Sequence, residues 1–338
     1  MRSSRPHPSI DPSRAPTRTK PKAARRRSAR TTASYLERIN RVIDHLMAHR
    51  DQAARLNDLA RLAHLSPFHF HRVFQAIVGE TPADFSKRVR LDHALTLISR
   101  KGSRSLTQIA LACGFTSSSD FSRAFKQRFG TPPRSFDLDA WRTTHRDALE
   151  SLLPRTTRIS RLPPRASTDA FAVTLESLPC RRVAYIRVDR PYQGRGVIAA
   201  CERLVAWARA HGFADGQWLG YQWENPEVTD LANCRYFVAV VLPADHDDRS
   251  LARLARGEVG LHRFPPLNVA QITLDGAMDL ELRALQWLYG SWLPRSRFVP
   301  DDHPCFESWI GLPFAHGTER FTLRVQLPVQ PRRGPNRA

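Results

Sequence analysis

The feature that most constrains this chain is a repeat inside its first half. Leu56, Leu59, Ala60, Ala63 and Leu65 recur 50 residues later as Leu106, Ile109, Ala110, Cys113 and Phe115. Phe70, Arg72, Phe74, Gly79, Pro82 and Phe85 recur at a spacing of 51, as Phe121, Arg123, Phe125, Gly130, Pro133 and Phe136. The extra residue falls between the two parts of the unit. Turns accept an insertion that packed helices reject, so the pattern predicts two copies of a helix-turn-helix unit.

Local chemistry supports the same reading. Ser66 before Pro67 is a good helix start, and Ser105 with Gln108 and Ser117 with Asp120 have the spacing of capping pairs. Phe70, Val73, Phe74 and Ile77 form one apolar face, Phe121, Phe125 and Phe129 another, and Gly79 and Gly130 end the helices. Between the copies, Ala83 to Arg100 carries an apolar stripe of Leu91, Ala94, Leu95 and Ile98. About 18 helical residues span roughly 27 Å. Such a rod can hold two recognition helices about one DNA turn apart, roughly 34 Å, on one face of a duplex.

Charge points the same way. The net charge of +20 is unevenly placed: +9 in residues 1–33, +7 in 34–145 and only +4 in 146–338. A polyanion partner for the first part is therefore expected, although solvated basic faces would give the same totals. The outward residues are Phe68, His71, Arg72 and Gln75 in the first recognition helix. In the second they are Ser118, Ser119, Asp120, Arg123 and Lys126. Arg suits guanine, Gln suits adenine, Asp can accept from cytosine, and Phe can pack on a thymine methyl, with Lys126 better placed for phosphate. Each is also open to the plainer reading of a solvated surface residue, Arg72 and Arg123 least so because they stand at equivalent places in both copies.

The runs LNDLARLAHLSPFHFHRVFQAIVGETPADF and SLTQIALACGFTSSSDFSRAFKQRFGTPPRSF resemble the AraC/XylS family of bacterial transcription regulators. The resemblance covers about residues 34–140 and implies a helical DNA-binding domain acting at promoters. One departure is Asp137, which follows Phe136 where that family usually has an arginine, and this puts one phosphate contact in doubt.

The rest of the chain divides by composition. Residues 1–33, rich in Pro, Ser, Thr and Arg, read as a disordered basic tail. The DNA-binding domain is assigned to 34–145 and a proline-containing linker to 146–170, with a short disordered tail at 330–338. Residues 171–329 alternate short β-rich runs (Arg182–Val188, Arg235–Leu242, Asn268–Leu274, Arg320–Leu327) with helical ones. Leu178, Pro179, Val183, Ala184, Ile186, Val188 and Asp189 recur 86 residues on as Phe264, Pro265, Val269, Ala270, Ile272, Leu274 and Asp275. The predicted architecture is an all-α domain of two helix-turn-helix units joined by a long helix. An α+β domain follows, made of two strand-helix-strand-strand halves with a groove between them.

The segments LPCRRVAYIRVDRPY, LGYQWENPEVTD and PCFESWIGLPF resemble the GyrI-like effector-binding domains. That resemblance implies a glutamate in the groove, matched here by Glu307, facing cationic aromatic ligands. Strand alternation puts Cys305, Glu307 and Trp309 on one face. A carboxylate among rings is poorly solvated and gains from an organic cation, with cation–π attraction of about 0.5–2 kcal/mol from nearby rings. Tyr192, Tyr221, Trp223 and Trp309 are candidate walls, each also readable as core packing, and Glu307 as a surface strand residue.

Several classes are disfavoured. No run approaches 18 apolar residues, and the basic N-terminus lacks an apolar signal core, so the expectation is a cytoplasmic protein without membrane contact. The five cysteines are scattered, and His64, His69 and His71 lack a Cys or carboxylate partner, so no metal or cofactor is expected. No hydrolase or nucleotide-binding motif occurs, and no catalytic residue is assigned. The expected partners are promoter DNA, a small effector and RNA polymerase. Two alternatives stay open: a small-molecule hydrolase, and a module binding gyrase or polymerase.

Overall fold

The computed structural model describes residues 22–99, 105–152, 170–226, 229–315, 317 and 320–332. Its first half is helical: α1 (Lys22–Ala48), α2 (Leu56–Leu62), α3 (Pro67–Val78), α4 (Pro82–Ser99), α5 (Leu106–Ala112), α6 (Ser118–Phe129) and α7 (Leu138–Leu152). Two aromatic cores fill it. Ile39, Ile43, Leu59, Phe70, Phe74 and Phe85 pack in the first unit. Leu91, Leu95, Ile109, Phe121, Phe125 and Phe129 pack in the second. Helix α4 supplies Phe85 and Val89 to one core and Leu91 and Leu95 to the other, so one rod is anchored in both.

The unequal turns are Ala63–Ser66 and Cys113–Ser117. His64 and Gly114 hold the same left-handed place in them, with φ of 52° and 69°. A side chain at Gly114 would meet the Asp51 carbonyl oxygen at 2.6 Å, which makes glycine necessary in the second copy alone. Asp137 accepts from the Ala140 amide at 2.9 Å and so caps α7.

Two boundary expectations are corrected. Residues 22–33 are not irregular but form the start of α1, and 146–152 continue α7 instead of opening the linker. The N-terminal extension is built mainly of Ala and Arg with Lys, Ser and Thr and has no apolar stripe, so propensity made a helix that periodicity could not reveal. Residues 1–21, 153–169 and 333–338, where the rest of the tails and linker were expected, lie outside the described residues.

The second half is an antiparallel sheet with helices on one face. Its elements are β1 (Thr174–Leu178), β2 (Arg181–Asp189), α8 (Gly196–Ala210), β3 (Trp218–Tyr221), β4 (Arg235–Val241), α9 (Asp248–Leu254), β5 (Val259–Phe264), β6 (Leu267–Gly276), α10 (Met278–Trp287), α11 (Leu293–Arg295), β7 (Phe298–Pro300), β8 (Phe306–Trp309) and β9 (Phe321–Pro331). Strand β9 runs past the expected domain end at Val329.

The strand order β1-β6-β9-β8-β3-β4-β2-β5 reads as two mirrored sets meeting at β8 and β3. Here the sequence repeat becomes a pseudo-twofold axis. Each edge strand pairs with the other half, β1 with β6 and β5 with β2, so the halves are interlocked. Ala184, Ile186, Val238, Val240, Ile272 and Val325 pack on the helix side of the sheet. Val183, Tyr185, Leu219, Tyr221, Phe237 and Phe306 pack on the opposite side, where α1 approaches β5.

Candidate DNA-reading faces and effector groove

Each recognition helix starts at a serine cap and ends on a left-handed glycine. Ser66 accepts from the His69 amide and Ser117 from the Asp120 amide. Gly79 and Gly130 have φ of 87° and 80°. These caps fix where the first outward residues emerge. Arg72 and Arg123 fall at the same place in their helices and are exposed, the Arg123 side chain by 82 %. Phe68 is 73 % exposed with the Arg72 guanidinium 5.7 Å over its ring. Gln75, Ser119 and Lys126 are exposed, while His71, Ser118 and Asp120 are half-buried. Asp120 also takes a hydrogen bond from Thr116 and lies 4.0 Å from Arg123. A free apolar ring beside a free guanidinium is poorly explained by packing.

In the second half the site is built at the seam of the mirrored sets. Glu307 on β8 stands opposite Gly220 on β3. It lies on the helix side, and its carboxylate accepts a hydrogen bond from the Tyr236 hydroxyl on β4. Gly220 is required there: a Cβ would fall 1.8 Å from the Tyr236 oxygen and 2.7 Å from Glu307 Oε2. Burial pushes the Glu307 carboxyl up to about 7, with the Tyr236 bond pulling the other way. Glu281 on α10 is also buried, and burial together with the Glu307 charge raises its carboxyl well above the usual range. Cys201 of α8 is pushed up to about 12 by burial and by Glu307. Two acids, a tyrosine and a thiol thus cluster on the helix side of the sheet, beside α8 and α10, at the candidate position of the expected groove.

The four expected wall residues do not stay together. Tyr192 donates to Gln222 at 2.9 Å and feels the Glu307 charge, so it borders the groove. Trp309 is on the Glu307 side but packs on Phe314 and Phe321 as core. Tyr221 and Trp223 are corrected to the opposite side. Tyr221 is one residue from Gly220 and therefore faces away from Glu307, stacking on Phe237 with centroids 5.0 Å apart. Trp223 meets Phe264 and carries the Arg50 guanidinium 5.0 Å above its ring. Tyr236, Glu281 and Gly220 were missed, since only strand register and helix docking bring them to Glu307.

The opposite side of the sheet meets the helical domain through polar groups. Tyr185 donates to Asp44 of α1 at 2.6 Å, and Gly260 leaves room for that ring, since a Cβ there would be 2.3 Å from it. Arg235 lies 3.6 Å from Glu80, and His145 of α7 lies 3.6 Å from Asp230.

Comparison with known proteins divides the chain at the same place. Residues 59–138 match the model of a helix-turn-helix domain, and residues 171–330 match that of a GyrI-like small molecule binding domain. The probable transcriptional regulator LumQ of Photobacterium leiognathi is 33% identical over 105 residues, which are 30% of this chain and 42% of that protein. The HTH-type transcriptional regulator CdhR of Pseudomonas aeruginosa is 34% identical over 92 residues, 27% of each. The chain thus spans less than half the length of either regulator. A DNA gyrase inhibitor of Edwardsiella ictaluri is 28% identical over 165 residues, 47% of this chain and 97% of that protein. Among solved structures, an AraC-type transcriptional regulator of Chromobacterium violaceum shares 28% identity over 29% of this chain and 86% of its own, with a TM-score of 0.27. No described helix is long and apolar enough to cross a membrane.

Proposed function

We propose, for a chain that joins an AraC-type helix-turn-helix domain to a GyrI-like small molecule binding domain, that it is a transcription regulator whose DNA occupancy answers to a small organic cation. The observation that carries the ligand class is the half-buried Glu307 carboxylate, bonded by Tyr236 on the helix side of the sheet near α8 and α10. A carboxylate so little solvated, with only the Tyr236 hydroxyl on it, is costly in its charged form, and an organic cation that neutralises it offsets that cost. Arg72 and Arg123 are the base-reading residues in this reading, with Phe68, Gln75, Ser119 and Asp120 beside them and Lys126 on phosphate. Promoter DNA, the effector and RNA polymerase are the partners, the compartment is the cytoplasm, and no turnover is involved. Calorimetry with tetraphenylphosphonium, a cation that does not intercalate in DNA, tests the groove. Binding to wild type that is lost in Glu307→Gln supports the reading, and equal binding to both defeats it.

A second reading is favoured by the Tyr236–Glu307 bond alone. A carboxyl near 7 beside a phenol can take a proton from water attacking an electrophile and return one to the leaving atom. Turnover of small electrophilic esters or epoxides that vanishes in Glu307→Gln, with the fold intact, would move the assignment to a hydrolase.

A further inference from the structure

Strand β4 has a different task on each of its sides. Tyr236 faces the groove and bonds Glu307. Its neighbour Arg235 faces the helical domain, with its side chain only 6 % exposed. Arg235 pairs with Glu224 at 3.1 Å and Asp189 at 3.3 Å in its own domain, and with Glu80, just before α4, at 3.6 Å. From Glu80 the ion pairs continue. Arg88 of α4 meets Glu80 at 2.7 Å and Asp92 at 3.4 Å, and Asp92 meets Arg128 of α6 at 3.0 Å. The Arg235 and Arg88 guanidinium groups both lie over the Phe85 ring, 4.8 and 4.9 Å from its centroid.

Arg235, Arg88, Asp92 and Glu224 are buried and Glu80 and Arg128 half-buried, with only Asp189 exposed, so attraction along the line from Arg235 to Arg128 is weakly screened. Breaking one link leaves a neighbouring charge buried without its partner, which makes small displacements costly and rearrangement stepwise. We propose that Arg235 is a positioning residue that couples the Glu307 groove to the second recognition helix, through Glu80, Arg88, Asp92 and Arg128. The proposal rests on the reading that the groove is the effector site. A cation drawing on Glu307 competes with the Tyr236 hydroxyl, and any shift of β4 that follows moves Arg235 against Glu80. The first recognition helix has no described ion pair to this chain, so the response falls on α4 and α6. A mutant cycle across this network measures the coupling directly.

The test uses the full chain and no DNA. Hydrogen exchange of α4 and α6 amides is compared in wild type, Tyr236→Phe, Glu80→Gln and the double variant, with circular dichroism checking the fold. Tyr236→Phe should change exchange in α4 and α6 by about threefold or more, the size expected within one network. In the Glu80→Gln background that change should vanish. An unchanged α4 and α6 in Tyr236→Phe, or the same change in both backgrounds, overturns the proposal. Failure of tetraphenylphosphonium to bind wild type would defeat the effector reading alone, because the cycle is scored without ligand.

Discussion

Asp44 of α1 accepts a hydrogen bond from the Tyr185 hydroxyl of β2 at 2.6 Å, across the junction of the two domains. Burial pushes the Asp44 carboxyl from 3.8 up to about 7, with the Tyr185 bond and the Arg187 charge pulling the other way. A carboxyl raised on folding binds its proton more tightly in the folded state. Its contribution to stability is therefore whole below about 3.8 and is lost as pH rises through about 7.

The melting temperature should accordingly fall between pH 5 and pH 8, and Asp44→Asn should flatten that dependence. Glu307 has a shift of the same sign, so some slope should survive. A variant whose melting temperature follows the wild-type curve across this range would mean that Asp44 carries no such linkage.

Cation binding should depend on pH in the opposite sense. The groove must present ionised Glu307, whose carboxyl lies at about 7, so affinity for tetraphenylphosphonium should rise from pH 6 to pH 8. Calorimetry at the two values decides it, and a pH-independent affinity would argue against Glu307 as the counter-charge.

Gly220→Ala places a methyl into the Tyr236 hydroxyl and the Glu307 carboxylate. It should cost about 1–3 kcal/mol of stability by overpacking and weaken the cation site. Denaturant melts and calorimetry measure both. Trp223→Ala, on the other side of the sheet, should leave the cation affinity unchanged.

Arg72→Ala and Arg123→Ala should each lose about 1–3 kcal/mol of discrimination between the preferred duplex and one changed at the contacted base. Competition binding against duplexes selected from random sequence reads this directly. Full discrimination in both variants would mean that the reading faces lie elsewhere.

What the sequence exposed follows from the range of each interaction. The duplicated units were legible because Phe70, Phe74, Phe121 and Phe125 repeat at helical spacing and their caps lie within three residues. Glu307 was singled out by the resemblance of its segment, and strand alternation placed only Cys305 and Trp309 on its face. The parity of Tyr221 and Trp223 relative to Glu307 was not. It depends on Gly220 standing opposite Glu307, a register set between distant strands. Tyr236 and Glu281 were hidden for the same reason, since nothing near them in sequence marks a groove. The early start of α1 escaped because Ala and Arg favour helix without leaving an apolar period.

Helix α4 is buried on several sides and anchored in both aromatic cores, so it sets more than a distance between α3 and α6. It also fixes their rotation about the axis of any duplex they share. Each base pair added between two contacted segments turns one against the other by roughly 34–36°, given 10–10.5 base pairs per turn. A rigid rod has no means of following that rotation. If both helices read one duplex as proposed, its binding element is one word of set length, and a spacer changed by a single letter is a different word.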